Sequence, residues 1–249
     1  MAGTCSAFPV TDGSRRLIVS TCGSLRRGLV AGLLAGIAAG TFHLAVAEPL
    51  IDEALRYEVA SVGGGSPETS RNAQRFGLFV ATALYGAAVG GVFGSAYPRL
   101  ARWLRTDSVW KGCLGGAAAA FTSLWLVPFL KYPPSPPGVG DPSTIGRRSV
   151  LYLVMLAVSV LGAVAAWVIS GRLSDGGIEP HRHRSWIAAG YAGVIFCAYL
   201  LLPSNEGQVP VPASLVWNFR LVSAAGQILL WGLLGVGFAL LSLRAATKT

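Results

Sequence analysis

Six windows of the sequence, 28–47, 77–97, 112–130, 149–170, 186–203 and 221–243, run for 18 residues or more without one Asp, Glu, Lys or Arg. A helix needs roughly 20 apolar residues to cross about 30 Å of hydrocarbon. Six such windows in one chain leave little choice of solvent: the chain is expected to lie in lipid. Backbone N–H and C=O groups there must be satisfied within the segment, so each window is expected to be helical. The fold class that follows is all-α, a polytopic membrane protein of six transmembrane helices arranged as three hairpins. Only 12% of the 249 residues are charged. That is about half the fraction of an ordinary soluble domain, too few charges for a water-facing surface.

The formal charge of +9 has to be located before it is interpreted. No Lys/Arg stripe carries interleaved aromatics and no helix offers a basic face to a groove, so nucleic acid is excluded as a partner. Residues 1–27, 98–111, 171–185 and 244–249 hold 13 of the 20 Lys and Arg but only four of the 11 acids. Cytoplasmic loops carry the excess of Lys and Arg, which places both termini in the cytoplasm. Residues 1–27 form the N-terminal tail in this reading. It is expected to be disordered, and 1–24 could also be an extension from an upstream start codon. Residues 28–243 form the transmembrane domain, and 244–249 the C-terminal tail. The apolar run Leu17-Ile18-Val19 is far too short for a signal-peptide core. Cys5, Cys22, Cys113 and Cys197 form no metal-type spacing.

The outer loops differ from the inner ones in being longer, acidic and proline-rich. Lys131-Tyr132-Pro133-Pro134-Ser135-Pro136-Pro137 reads as a stiff strap, because proline fixes its own φ and favours extended backbone before it. Each odd helix leaves the membrane near a proline (Pro49, Pro128 and Pro133, Pro203), and each even helix enters after an arginine (Arg75, Arg148, Arg220). That pattern suits either a triplicated hairpin or ordinary membrane punctuation.

Within the spans, Gly28, Gly32, Gly36 and Gly40 repeat at four-residue intervals, and Gly86, Gly90 and Gly94 repeat the spacing on the second helix. Small residues so placed let backbones approach closely. A glycine-lined conduction path is the sharper alternative. His43 is the one ionisable group inside a span, which marks it as a functional candidate. Glu48, Asp52 and Glu58 follow it, with Glu48 and Asp52 one helical turn apart. An imidazole beneath carboxylates could bind a divalent transition metal through mixed N/O ligands; a packing histidine below a solvated acidic turn is the plainer reading. His181 and His183 sit among arginines, a poor cation site. No hydrolase, zinc-protease, Walker or dinucleotide motif is present, and no enzymatic activity is expected.

Four outer stretches resemble the CbtA family of bacterial cobalt transporter subunits. They are Glu48-Pro49-Leu50-Ile51-Asp52-Glu53-Ala54; Ser70-Arg71-Asn72-Ala73-Gln74 leading to Gly77-Leu78; Pro128-Phe129-Leu130-Lys131-Tyr132-Pro133 through Gly140-Asp141-Pro142 to Arg147-Arg148; and Leu202-Pro203, Asn205-Glu206, Trp217, Phe219-Arg220, Gln227 and Trp231. The resemblance implies an inner-membrane permease, or permease subunit, for cobalt, often linked with a small histidine-bearing single-span partner. It supplies no ligand residues, and His43 is not among the matching positions. The expectation is therefore a cobalt permease whose outer vestibule is built from Glu48, Asp52, Glu58, Asp141 and Glu206. Arg71, Arg75, Arg148 and Arg220 act as charge partners, and the glycine-packed first and second helices form the gate. No cofactor is expected to be bound stably, and the cobalt ion would be substrate. A homo-oligomer, or a non-transporting accessory or scaffold role in a larger membrane complex, is the alternative.

Overall fold

The computed structural model describes residues 7–12, 15–62, 70–104, 108–136, 142–175, 180–204 and 211–247. A short antiparallel hairpin comes first, β1 (Ala7–Asp12) against β2 (Arg15–Ser20), pairing Ala7 with Ser20 and Asp12 with Arg15. Both strands and the start of α1 fall within residues 1–27, the expected N-terminal tail. Everything described after them is helical or connecting loop: α1 (Thr21–Phe42), α2 (Glu48–Val62), α3 (Arg71–Leu104), α4 (Val109–Phe121), α5 (Val127–Lys131), α6 (Ile145–Asp175), α7 (Pro180–Leu201) and α8 (Ala213–Ala246).

Two of these junctions are not breaks. A five-residue π-helical segment, His43–Ala47, joins α1 to α2, and a second, Thr122–Leu126, joins α4 to α5. The first and third helices are therefore longer rods than the uncharged windows suggested. Each π segment ends two residues before a proline, Pro49 or Pro128. A proline in a continuous α-helix lacks an N–H and drives its ring into the carbonyl four residues back. A π turn widens the backbone there by one residue, so the chain passes the proline without stopping. Past the π segment and Pro49 the first helix continues to Val62.

Five helical stretches are long and apolar enough to cross a membrane: Cys22–Tyr57, Arg71–Ala101, Val109–Lys131, Ile145–Leu173 and Ala213–Ala246. The chain is a multi-pass membrane protein. The expected fifth span, 186–203, corresponds to the shorter apolar helix Ser185–Leu201 within α7. At 1.5 Å per residue it reaches only about 25 Å.

The core lies where α1, α3, α4 and α8 meet. Ala31, Ala35 and Ala39 of α1 face Phe93 and Tyr97 of α3, Cys113 and Ala117 of α4, and Leu234 and Phe238 of α8. Phe238 meets Phe93 and Tyr97 edge-on, with centroids 5.3 and 4.8 Å away. Lipid-facing helices gain nothing from burying leucine against leucine, so small residues decide which pairs approach. That rule selects α1 and α3. A Cβ placed on Gly28 would lie 2.1 Å from the Gly90 carbonyl oxygen, and one on Gly32 2.1 Å from that of Gly86. The two backbones touch. The seam opens toward the C-terminal end of α1, where Gly40 meets the Phe79 side chain at 3.2 Å. A second, smaller core joins Val127 and Tyr132 to Met155 of α6 and Ala198 of α7. Ser159 and Tyr191 hydroxyls hydrogen-bond at 2.8 Å between α6 and α7.

Candidate functional site

The first turns of α2 and α3 bring together two carboxylates and two guanidiniums. Glu48 and Asp52 are four residues apart and share one face of α2. Arg71 and Arg75 are likewise one turn apart at the start of α3. Arg71 Nη2 donates to Glu48 Oε2 at 2.8 Å and to Asp52 Oδ1 at 2.5 Å. Arg75 Nη2 donates to Asp52 Oδ2 at 2.9 Å, and its Nε lies 3.6 Å from Glu48 Oε1. Gln74 Oε1 accepts from Arg71 Nη1 at 2.7 Å and fixes that guanidinium from the other side. All four carboxylate oxygens thus face a guanidinium. The Glu48 side chain is only 7% exposed, while that of Asp52 is 36% exposed.

An open hollow of about 630 Å³ flanks this lattice, lined by Pro49, Asp52, Glu53, Arg56 and Tyr57. Asp52 therefore borders both the ion-pair lattice and the hollow. Glu58 belongs to α2, but its side chain lies outside the described residues, as do Asp141 and Glu206.

His43 opens the π segment. Its imidazole turns inward against α8, where a Cβ on Gly226 would lie 2.0 Å from Nε2. The Glu48 N–H donates to the His43 carbonyl, so the lattice begins one π turn beyond the histidine. On α8 beside Gly226, Gln227 Oε1 and Trp231 Nε1 are buried without a hydrogen-bond partner. Sequence reading passed over these two polar atoms, although Gln227 and Trp231 stand one helical turn apart within an apolar span. Among the described residues, no three His, Cys, Asp or Glu side chains gather in a way that could hold a metal ion.

The proline strap is tied to its neighbours. Tyr132 Oη donates to the Pro203 carbonyl at 2.8 Å. Lys131 Nζ donates to the Tyr199 carbonyl at 2.8 Å and sits 4.8 Å from the centre of the Tyr199 ring. The Tyr199 hydroxyl returns a hydrogen bond to the Leu130 carbonyl. Arg220, grouped on sequence with the charge partners of the acids, donates from Nε to the Pro134 carbonyl at 3.3 Å. Arg148 lies near the start of α6. The strap is thus pinned at the exit of α7 and the entry of α8.

No curated protein and no solved structure matches the chain. The family model described as Probable cobalt transporter subunit (CbtA) matches residues 24–242, from the first turn of α1 to the last turns of α8. Because that match takes in the four-residue lattice, the strap and both π segments, the chain belongs to the CbtA family.

Proposed function

We propose that the protein is a permease, or permease subunit, that carries a divalent transition metal, cobalt, across the bacterial inner membrane and catalyses no reaction. The observation that supports this reading, beyond family membership, is the Glu48–Asp52–Arg71–Arg75 lattice placed one π turn outside the intramembrane His43. An arriving cation would be drawn to the acidic outer face, since clustered like charges focus counter-ions at a mouth. Glu58, Asp141 and Glu206 would extend that vestibule. At Asp52 the cation competes with Arg71 and Arg75 for the same oxygens. Exchange of guanidinium for metal would free the start of α3 from α2, and coupling entry to that release makes the lattice a gate. In this reading α7 supplies the sixth crossing. Its short apolar stretch costs only fractions of a kcal/mol per Å of mismatch. Six crossings put both termini on one side, the cytoplasmic side by the distribution of Lys and Arg.

Cobalt accumulation in cells lacking other importers tests the proposal. Expression of the wild-type chain should raise uptake, and Glu48→Gln with Asp52→Asn should abolish the gain. Equal accumulation with and without the gene sinks it.

A second reading is favoured by one observation. All four carboxylate oxygens are already matched by guanidiniums, so the lattice also suits a structural clamp in an accessory protein of a larger complex. The pinned strap would then be a docking surface for a small single-span partner, or for another member of that complex. Co-purification in mild detergent supports this alternative. Cobalt transport by the chain reconstituted alone, as a homo-oligomer or a monomer, refutes it.

A further inference from the structure

A groove of about 610 Å³ opens on the opposite side of the bundle, between α1, α3 and α6. Ala88, Val92, Ser95 and Arg99 follow one another along one face of α3 to form its floor. Leu25 and Leu29 of α1 form one wall; a Cβ on Gly91 would meet the Leu29 side chain at 2.9 Å, so these leucines lie directly over the α3 backbone. Trp167 of α6 closes the other side. The Ser95 hydroxyl is committed to the Gly91 carbonyl of its own helix, at 2.8 Å. The groove is therefore apolar along its length, with one cation at its end. Among the described residues no carboxylate pairs with Arg99.

We propose that this groove binds an anionic glycerophospholipid, with one acyl chain along α3 and the phosphate at Arg99. Length and charge both support that occupant. From Ala88 to Arg99 the helix rises about 16 Å, half of a hydrocarbon core of about 30 Å, which is the depth of one leaflet. Arg99 sits just past the uncharged window 77–97, at the level of the headgroups, and basic positions between membrane helices on the cytoplasmic side attract anionic headgroups. A tryptophan in the wall suits the interfacial zone, where aromatic rings concentrate.

The full chain purified in detergent provides the test, through its thermal unfolding with dioleoyl phosphatidylglycerol or dioleoyl phosphatidylcholine added. Lipid a hundredfold above its Kd should raise the Tm by about 5 °C or more for the anionic lipid, and clearly less for the zwitterionic one. Arg99→Gln should remove the difference between the two lipids, whereas Arg244→Gln, at the end of α8, should keep it. Val92 is 71% exposed, so Val92→Trp should fold and fill the groove, abolishing both shifts. Equal shifts for the two lipids in the wild type overturn the proposal, as does an undiminished preference in Arg99→Gln. Cross-linking of a Val92→Cys chain to a second copy through this face also overturns it, because the groove then belongs to a dimer.

Discussion

Alanine at Gly90 and alanine at Gly232 should move the stability of this protein in opposite directions. Both are interior helical glycines, on α3 and α8, and helix propensity alone would predict the same gain of up to about 1 kcal/mol from each change. Their surroundings differ. A Cβ on Gly90 would lie 2.2 Å from the Gly28 carbonyl oxygen and 2.7 Å from the Gly32 Cα, whereas one on Gly232 meets nothing within 4 Å. Ordinary contact begins near 3.4 Å, so α1 and α3 must separate by about 1 Å to admit the methyl group. No rotamer can absorb this, because the obstructing atoms are backbone. A gap of 0.5–1 Å forfeits a quarter to a half of each contact's well along the seam, and overpacking of this kind costs about 1–3 kcal/mol or more. We expect Gly90→Ala to lose about 3 kcal/mol and Gly232→Ala to gain about 0.5 kcal/mol. For a chain of this size that separates the two Tm values by about 7–14 °C. Tryptophan fluorescence during thermal unfolding in detergent reads the difference. Two variants melting within 2 °C of each other would falsify direct backbone contact between α1 and α3.

Three further outcomes are expected. Gly226→Ala should displace His43, whose Nε2 occupies the space of the new methyl group; His43→Ala in the same chain should recover most of the loss, and a double-mutant cycle with no coupling would refute the contact. Arg71 bonds both Glu48 and Asp52, so its removal leaves the 7%-exposed Glu48 side chain without its shortest partner. Arg71→Gln should therefore lose about 1–3 kcal/mol, read as a lower Tm in detergent; an unchanged Tm would exclude the pairing. Tyr132→Phe should cost about 1 kcal/mol by removing the bond to the Pro203 carbonyl, read as a lower Tm and faster proteolysis of the strap, and unchanged values for both would remove the strap's anchor.

The helical membrane character and the α1–α3 seam were legible because each rests on a local rule. Absence of charge over a span's length fixes the solvent, and glycine every fourth residue fixes which faces can touch. Partners separated in sequence were harder to read. Nothing in the spacing of Arg71 indicates that its guanidinium would reach both Glu48 and Asp52, since that geometry depends on α2 continuing past Pro49 as helix. The direction of His43 was equally hidden. An imidazole on a helix can face any neighbour, and only the missing side chain at Gly226 opens a place for it on α8. Gln227 and Trp231 carried part of the family resemblance, but their burial without a partner is a property of packing, not of sequence. Arg71 and Arg75, grouped on sequence with the charge partners, occupy the oxygens of Glu48 and Asp52.

The prolines bear on whether the hairpins are copies of one another. His43 begins a π segment six residues before Pro49, and Thr122 begins one six residues before Pro128. If a π turn were simply what any proline imposes on a continuous helix, this agreement would carry no information. Pro98 excludes that account, because it lies inside α3 with no π segment before it. The shared offset therefore belongs to the first and third helices in particular. The third member breaks the pattern: α7 ends at Leu201, two residues before Pro203, with no π segment described along it. The first and third helices thus share a π segment at one offset from a proline, and α7 shares only the proline. The strap's contacts fit that division. Tyr132, just beyond the second rod, reaches across to Pro203, so the C-terminal end of α7 is fixed by a neighbouring segment instead of by a π-turn extension of its own.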